Sequence, residues 1–197
     1  MAVAELLLKN KKYLFLKKRP DNIGALFIYI YICQNFLNMD FRIGFGVDFH
    51  QLVEDREFWL GGIKIEHDKG ALGHSDADVL LHAICDAMLG AACLGDIGIH
   101  FPDTDTSFKN IDSKILLAKS FELIKAKGYA IVNADTTLCL QSPKIKNYIP
   151  QMQEVIAGIL SVDTDAISIK ATTTEKMGFV GREEGLVAYA TVLLKKN

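Results

Sequence analysis

No pair of cysteines in this chain has the spacing of a zinc finger or a CxxC redox motif. The four cysteines, Cys33, Cys85, Cys93 and Cys139, are too few and too scattered for a disulfide framework. The last three lie among apolar residues and read as small core side chains. A disulfide-stapled secreted fold is therefore excluded, and a reducing, cytosol-like compartment is expected. Charge of one sign is lacking too. The 22 Lys and Arg residues face 24 Asp and Glu, a formal net charge of -2, so neither a nucleic-acid surface nor a membrane-surface patch is expected. There is no internal repeat and no low-complexity linker. What is present is material for one packed domain: half of the 197 residues are hydrophobic and 23% are charged.

The charge is unevenly placed. Residues 1–39 carry six Lys and Arg against two acids, a net of +4, which leaves -6 for the rest. The apolar run IGALFIYIYIC follows at 23–33. It is shorter than the roughly 20 residues of a membrane-spanning helix. Basic then apolar is the order of a targeting segment, but QNFLN offers no small-residue cleavage signal. Three readings stand: a start assigned too early with Met39 as the initiator, which is preferred; a targeting segment; or a structured extension. Residues 1–38 are set apart, and 39–197 are expected to form the functional domain. The cytoplasm is the expected location, with organelle import if the first segment is a targeting signal.

From Met39 the chain reads as α+β. A strand is predicted over 42–48. Strands at 58–60 and 63–65 flank Gly61-Gly62, paired glycines that suit a tight hairpin. An apolar stripe of Val79, Leu80, Ala83, Ile84, Ala87 and Met88 predicts a helix from Asp76 to about Ala92, with Ser75 as its cap. Residues 94–107 read as a long loop. A second helix is predicted over 113–127, stopped by Gly128, and a strand over 129–140. Ser142 and Pro143 suggest the cap and first residue of a third helix reaching about Leu160, with Pro150 kinking it or marking its real start. The last strands are expected at 166–171 and 186–194. This order suggests a single domain with one mixed sheet and helices packed on one face.

Chemistry-bearing residues fall into a few stretches. In GVDFH, Asp48 and His50 alternate along a strand and so share a face. A carboxylate oxygen beside a neutral imidazole nitrogen suits a borderline metal such as zinc. In GHSDADVLLH, His82 lies one helical turn beyond Asp78, and Asp86, a turn further, is placed to hold the second imidazole nitrogen. Asp48, His50 and His82 would give three ligands and one open position, the pattern of a catalytic rather than a structural zinc. His74 and Ser75 stand where free N–H groups at a helix start favour phosphate. In KATTTEK, the threonine hydroxyls and Glu175 suit a diphosphate carrying Mg²⁺. Met177 to Arg182 forms a glycine-containing loop whose Arg182 offers a fork for phosphate. Asp96, Asp103 and Asp105 can accept hydrogen bonds from sugar-like hydroxyls. His67 reads as a surface residue, and His100, within the long loop over 94–107, is left open.

Together, GVDFH, GHSDADVLLH, LGDIGIHFPDTD, SPKI followed by IPQM, and KATTTEKMGFVGREEG resemble the 2-C-methyl-D-erythritol 2,4-cyclodiphosphate synthase family of non-mevalonate isoprenoid biosynthesis. The resemblance spans about residues 42–195. It implies a cyclising, CMP-releasing phosphorus–oxygen lyase. The substrate would be 4-diphosphocytidyl-2-C-methyl-D-erythritol 2-phosphate, whose 2-phosphate attacks the β-phosphorus of its own diphosphate. It implies zinc on Asp48, His50 and His82, with Glu175 holding a second ion, Mg²⁺ or Mn²⁺, on the diphosphate. His74 and Thr173 match the residues that stabilise the transition state, and Ser75 the 2-phosphate side. Asp96, Gly98, Phe101, Asp103 and Asp105 match the methylerythritol-binding loop. Leu140, Pro143, Lys144 and Lys146, with Thr172, match the cytidine pocket, and Phe179 and Arg182 complete the contacts. A homotrimer is implied, with active sites between subunits. Its central cavity, where Arg182 would pair with Glu184, is implied to take an isoprenoid diphosphate.

The departures from the family pattern are modest. Ala77 stands where glycine is common, Ser142 where alanine is, and Ile99 where lysine is frequent. Two rival readings remain: a zinc-dependent hydrolase of a phosphorylated metabolite, using water as nucleophile, and a non-catalytic trimeric sensor of isoprenoid diphosphates.

Overall fold

The computed structural model describes residues 40–197, so the expectations for 1–38 lie outside the described residues. Strand β1, Phe41–Glu54, is the longest strand among the described residues, and its first half alternates in burial. Gly44, Gly46 and Leu52 are buried on one face, while Phe41, Ile43, Phe45 and Phe49 are exposed on the other. Helix α1, Val79–Ala91, lies on the buried face. The approach is closer than side chains allow. A Cβ on Gly44 would fall 1.8 Å from the Ala87 carbonyl oxygen, and one on Gly46 would fall 2.1 Å from that of Ala83. The two glycines and the alanines of α1 thus let backbone meet backbone.

The hairpin β2 (Phe58–Leu60) and β3 (Ile63–Ile65) forms as predicted, with φ of +62° at Gly61 and +80° at Gly62. It is tied to the start of α1 by Asp78. This fully buried carboxylate accepts from the N–H groups of Gly61 (2.9 Å) and Gly62 (2.6 Å), and from those of Leu80 and Leu81 in the first helical turn. Asp78, not Ser75, is therefore the cap of α1, which begins three residues later than expected. Burial pushes the Asp78 carboxyl up, and the backbone donors pull against that.

Strand β4, Lys69–Leu72, was not expected; KGAL has no alternation and no β-branched residue. It exists because it pairs with Gln51–Glu54, which also carries β1 past its predicted end. The loop after α1 contains a one-turn helix α2, Ile97–His100, and a 3₁₀ turn at Thr106–Phe108. Helix α3, Ser113–Ala126, and strand β5, Tyr129–Cys139, follow as predicted. The third helix does not open at Pro143. Helix α4 runs Ile149–Leu160 with Pro150 in its first turn, where a missing N–H costs no hydrogen bond. Strand β6 (Ile167–Thr172), a short helix α5 (Gly178–Gly181) and strand β7 (Gly185–Lys196) complete the fold.

The main sheet has the order β4-β1-β7-β5-β6, with β5 and β6 parallel and the other pairs antiparallel. It is mixed, as expected. Helices α1, α3 and α4 bury Leu80, Ile84, Met88, Leu117, Ile124, Met152 and Ile156 in one core with the inner sheet face. Each such side chain contributes about 1.5–3 kcal/mol of hydrophobic stabilisation. Among the described residues, no helix is long and apolar enough to cross a membrane.

Candidate metal centre and substrate site

Asp48 and His50 leave β1 on the face that carries α1, and His82 leaves α1 toward them. Asp48 Oδ2 lies 3.0 Å from His50 Nε2 and 3.0 Å from His82 Nδ1, and the two nitrogens are 3.2 Å apart. The three side chains are between 13% and 24% exposed, so the cluster is accessible from one side. Burial works against the Asp48 charge, but the hydrogen bonds and charges of His50 and His82 outweigh it and hold its carboxyl well below the usual range. Burial likewise opposes a charged His82, and the hydrogen bond to Asp48 raises its pKa in spite of that.

The outer nitrogens show why these atoms converge. His50 Nδ1 lies 2.9 Å from the Leu72 carbonyl oxygen, which can only accept. His82 Nε2 lies 2.8 Å from Ser113 Oγ and 3.2 Å from Ser75 Oγ. With both outer nitrogens donating, two lone pairs and a carboxylate oxygen point at one another, an arrangement that only a cation or shared protons can satisfy. This donor set, two nitrogens and one oxygen, fits a divalent metal. The expected role of Asp86 does not hold. Its Oδ1 accepts from Ile97 N–H at 2.8 Å, which anchors α2, and His82 is served by Ser113 instead. Ser113 was missed because 31 residues separate it from His82 and only the fold brings them together.

The loop between β4 and α1 lies beside this cluster. Ser75 is buried and accepts from Ala77 N–H at 3.1 Å. Arg56 fixes the loop backbone by donating to the carbonyls of Gly73 (3.1 Å) and Ser75 (2.9 Å). His74 Nε2 is buried with no hydrogen-bond partner. Ala77 takes a φ of +59°, the conformation that makes glycine the easier residue here.

The remaining predicted residues are spread along the chain. Asp96 caps α2 through Ile99 N–H, and Asp105 caps the 3₁₀ turn through Ser107 N–H, while Gly98 and Asp103 are exposed. Phe101 stands edge-on to Phe108 at 5.5 Å. Leu140 is buried and its N–H donates to the Thr172 carbonyl at 3.1 Å, which joins the predicted cytidine segment to β6. Pro143 is half-buried, and Lys144 and Lys146 are exposed. Thr173 Oγ1 donates to Glu175 at 2.9 Å, and both residues are solvent-facing or nearly so. Phe179 packs on Phe49 at 6.4 Å between ring centres. Arg182 and Glu184 form the expected pair, with Nε and Nη2 at 2.8 and 2.9 Å from the two carboxylate oxygens.

The strand directions explain the grouping. β1, β5 and β6 run the same way, so their C-terminal ends and the start of β7 share one edge of the sheet. Three strand spacings separate β1 from β6, about 14 Å. The chain therefore assembles Asp48, His50, His82, Ser75 and Ser113 in one place. Leu140, Thr172, Thr173 and Glu175 gather at another.

Comparison with known proteins accords with this geometry. Residues 41–195 match the model of the YgbB family. A curated relative from Bacteroides thetaiotaomicron, named 2-C-methyl-D-erythritol 2,4-cyclodiphosphate synthase, is 64% identical over 159 residues, covering 81% of this chain and 100% of its own. The bifunctional IspDF from Campylobacter jejuni superposes with a TM-score of 0.79 at 43% identity, over 81% of this chain and 43% of that one. The CDP complex of IspF from Plasmodium falciparum gives a TM-score of 0.70 at 36% identity, over 80% of this chain and 97% of that one. The fold, the length matched and the identity agree, and the chain belongs to the YgbB family, whose curated relatives here are 2-C-methyl-D-erythritol 2,4-cyclodiphosphate synthases.

Proposed function

We propose that this chain converts 4-diphosphocytidyl-2-C-methyl-D-erythritol 2-phosphate into 2-C-methyl-D-erythritol 2,4-cyclodiphosphate and CMP, as a phosphorus–oxygen lyase of non-mevalonate isoprenoid biosynthesis. The observation that carries this reading is the convergence of Asp48, His50 and His82 beside the loop that opens α1. A Zn²⁺ held by these three residues would supply a Lewis acid that draws charge from a phosphate oxygen. The substrate brings its own nucleophile, so the chain has to fold it back on itself and neutralise charge. Ser75 would orient the 2-phosphate, and His74, whose buried ring nitrogen has no hydrogen-bond partner, would stabilise charge in the transition state. Thr173 takes the same role from the far side. Glu175 would hold Mg²⁺ or Mn²⁺ on the diphosphate. Asp96, Gly98, Phe101, Asp103 and Asp105 would hold the methylerythritol. Leu140, Pro143, Lys144, Lys146 and Thr172 would hold the cytidine, with Phe179 and Arg182 completing the contacts.

The same reading makes the protein a homotrimer. Two groups of residues that must meet on one substrate stand three strands apart, and a neighbouring chain closes that gap. The outer sheet face supports it: Ile43 is 72% exposed, Phe45 65% and Phe49 53%, with Tyr189 beside Phe45. An apolar surface of that kind is a contact surface. Arg182, paired with Glu184, would face an isoprenoid diphosphate in the cavity between subunits. The free thiols of Cys85, Cys93 and Cys139 suit a cytoplasmic location.

The test is product analysis. Zinc-loaded protein with the diphosphocytidyl substrate and Mg²⁺ should release CMP and an equal amount of cyclic diphosphate, both identified by mass. A linear, hydrolysed product would replace this reading with a phosphohydrolase. Absence of CMP release would replace it with a binding protein.

A further inference from the structure

Ser113 is the first residue of α3 and is fully buried. Asp76 grips it twice: Oδ2 accepts from the Ser113 N–H at 2.9 Å, and Oδ1 accepts from the Ser113 hydroxyl. A serine hydroxyl has one proton to give. With that proton on Asp76, Ser113 Oγ faces His82 Nε2, 2.8 Å away, as an acceptor. The closer of the two hydroxyls beside His82 Nε2, with Ser75 Oγ at 3.2 Å as the other, thus calls for hydrogen on Nε2, which leaves Nδ1 with the lone pair aimed at Asp48 and His50. The loop that holds Asp76 is itself laced to the approach to α3. Asp76 N–H donates to the Ile111 carbonyl at 3.1 Å, and Asn110 N–H donates to that of His74 at 2.7 Å.

We propose that Asp76 and Ser113 are positioning residues that select the metal-ligating tautomer of His82. The inference rests on Asp48, His50 and His82 being the metal centre. It adds that the centre's competence depends on a carboxylate and a hydroxyl that touch no metal. Both oxygens of Asp76 accept, and this requirement makes the idea specific. Asparagine in its place has one acceptor and one donor. If its oxygen takes the Ser113 N–H, its amide N–H₂ donates to Ser113 Oγ. The hydroxyl then turns and donates to His82 Nε2, which moves the ring hydrogen to Nδ1 and blocks ligation. If its oxygen takes the hydroxyl, two N–H groups oppose each other.

The experiment uses the full chain, stripped of metal and titrated with Zn²⁺ against a competing chelator, with circular dichroism as a check on folding. The wild type should bind one zinc per chain, and His82→Ala should lose it. Retention of zinc by His82→Ala would overturn the reading of the metal centre, and this inference with it. Asp76→Asn and Ser113→Ala should each weaken zinc binding by about 10–100-fold. In the metal-free wild type, the His82 ring ¹⁵N shifts should put the hydrogen on Nε2. In metal-free Asp76→Asn they should put it on Nδ1, a change that a loss of stability alone would not cause. Wild-type zinc affinity in both variants, with His82→Ala still defective, would overturn this inference and leave the metal centre standing. Where Asp76→Asn does not fold, Ser113→Ala decides the matter on the same affinity criterion, since it removes only an oxygen.

Discussion

The cluster on β1 and α1 and the strand-end group around Thr173 and Glu175 are built on opposite principles. Asp48, His50 and His82 are mostly buried, and every ring nitrogen has a partner within the chain. Glu175 and Thr173 are bonded chiefly to each other at the rim, on a turn where Glu175 and Lys176 both take positive φ. The first set is brought together within one chain. Under the proposed function, the second would be completed from outside, by a substrate or a neighbouring subunit. One would then hold an ion through many turnovers and the other would make contact that forms and breaks.

This contrast is sharpest when one residue is removed from each side. His82→Ala should abolish both bound zinc and CMP release. Glu175→Ala should lower CMP release by about 10²-fold or more while zinc content stays at the wild-type level. Metal analysis and initial rates on the same preparations check this; loss of zinc in Glu175→Ala would erase the distinction. A second, somewhat smaller effect probes the neighbour. Phe45→Glu puts a charge on the exposed apolar face and should yield a folded monomer that still binds zinc but has lost most CMP release, as read by light scattering and rate assays. A fully active monomer would mean that one chain completes its own strand-end group. The smallest effect belongs to Ala77→Gly beside the cluster. Relief of the left-handed backbone is worth about 1 kcal/mol, partly offset by the freer unfolded chain. The melting temperature should rise by no more than about 2–4 °C with zinc affinity unchanged, and a fall in melting temperature would count against strain at that position.

Legibility in the sequence followed the same line. Asp48 and His50 could be paired from strand period alone, and His82 could be placed on a helix face from the apolar stripe of α1. The hairpin was legible because paired glycines leave few alternatives. Distant apposition was not. Ser113 looked like an ordinary helix start, and nothing in IDSK says that its hydroxyl meets a ring on another helix. Asp86 was chosen to serve His82 because it is one turn away, but α2 claims it. β4 escaped because its strand character comes from β1, not from its own residues. Pro143 resembled a helix start as strongly as Pro150 does, and only the observed first turn of α4 separates them.

Gly44 and Gly46 fix more than packing. A donor set divided between a strand and a helix inherits its aperture from the distance between their axes. Here that distance leaves no room for a Cβ at Gly44 or Gly46. The radius of any ion seated among Asp48, His50 and His82 is thus gauged two and four residues ahead of the first ligand, by side chains that are only hydrogen atoms. Selectivity at such a centre is partly a property of what the neighbouring positions leave out.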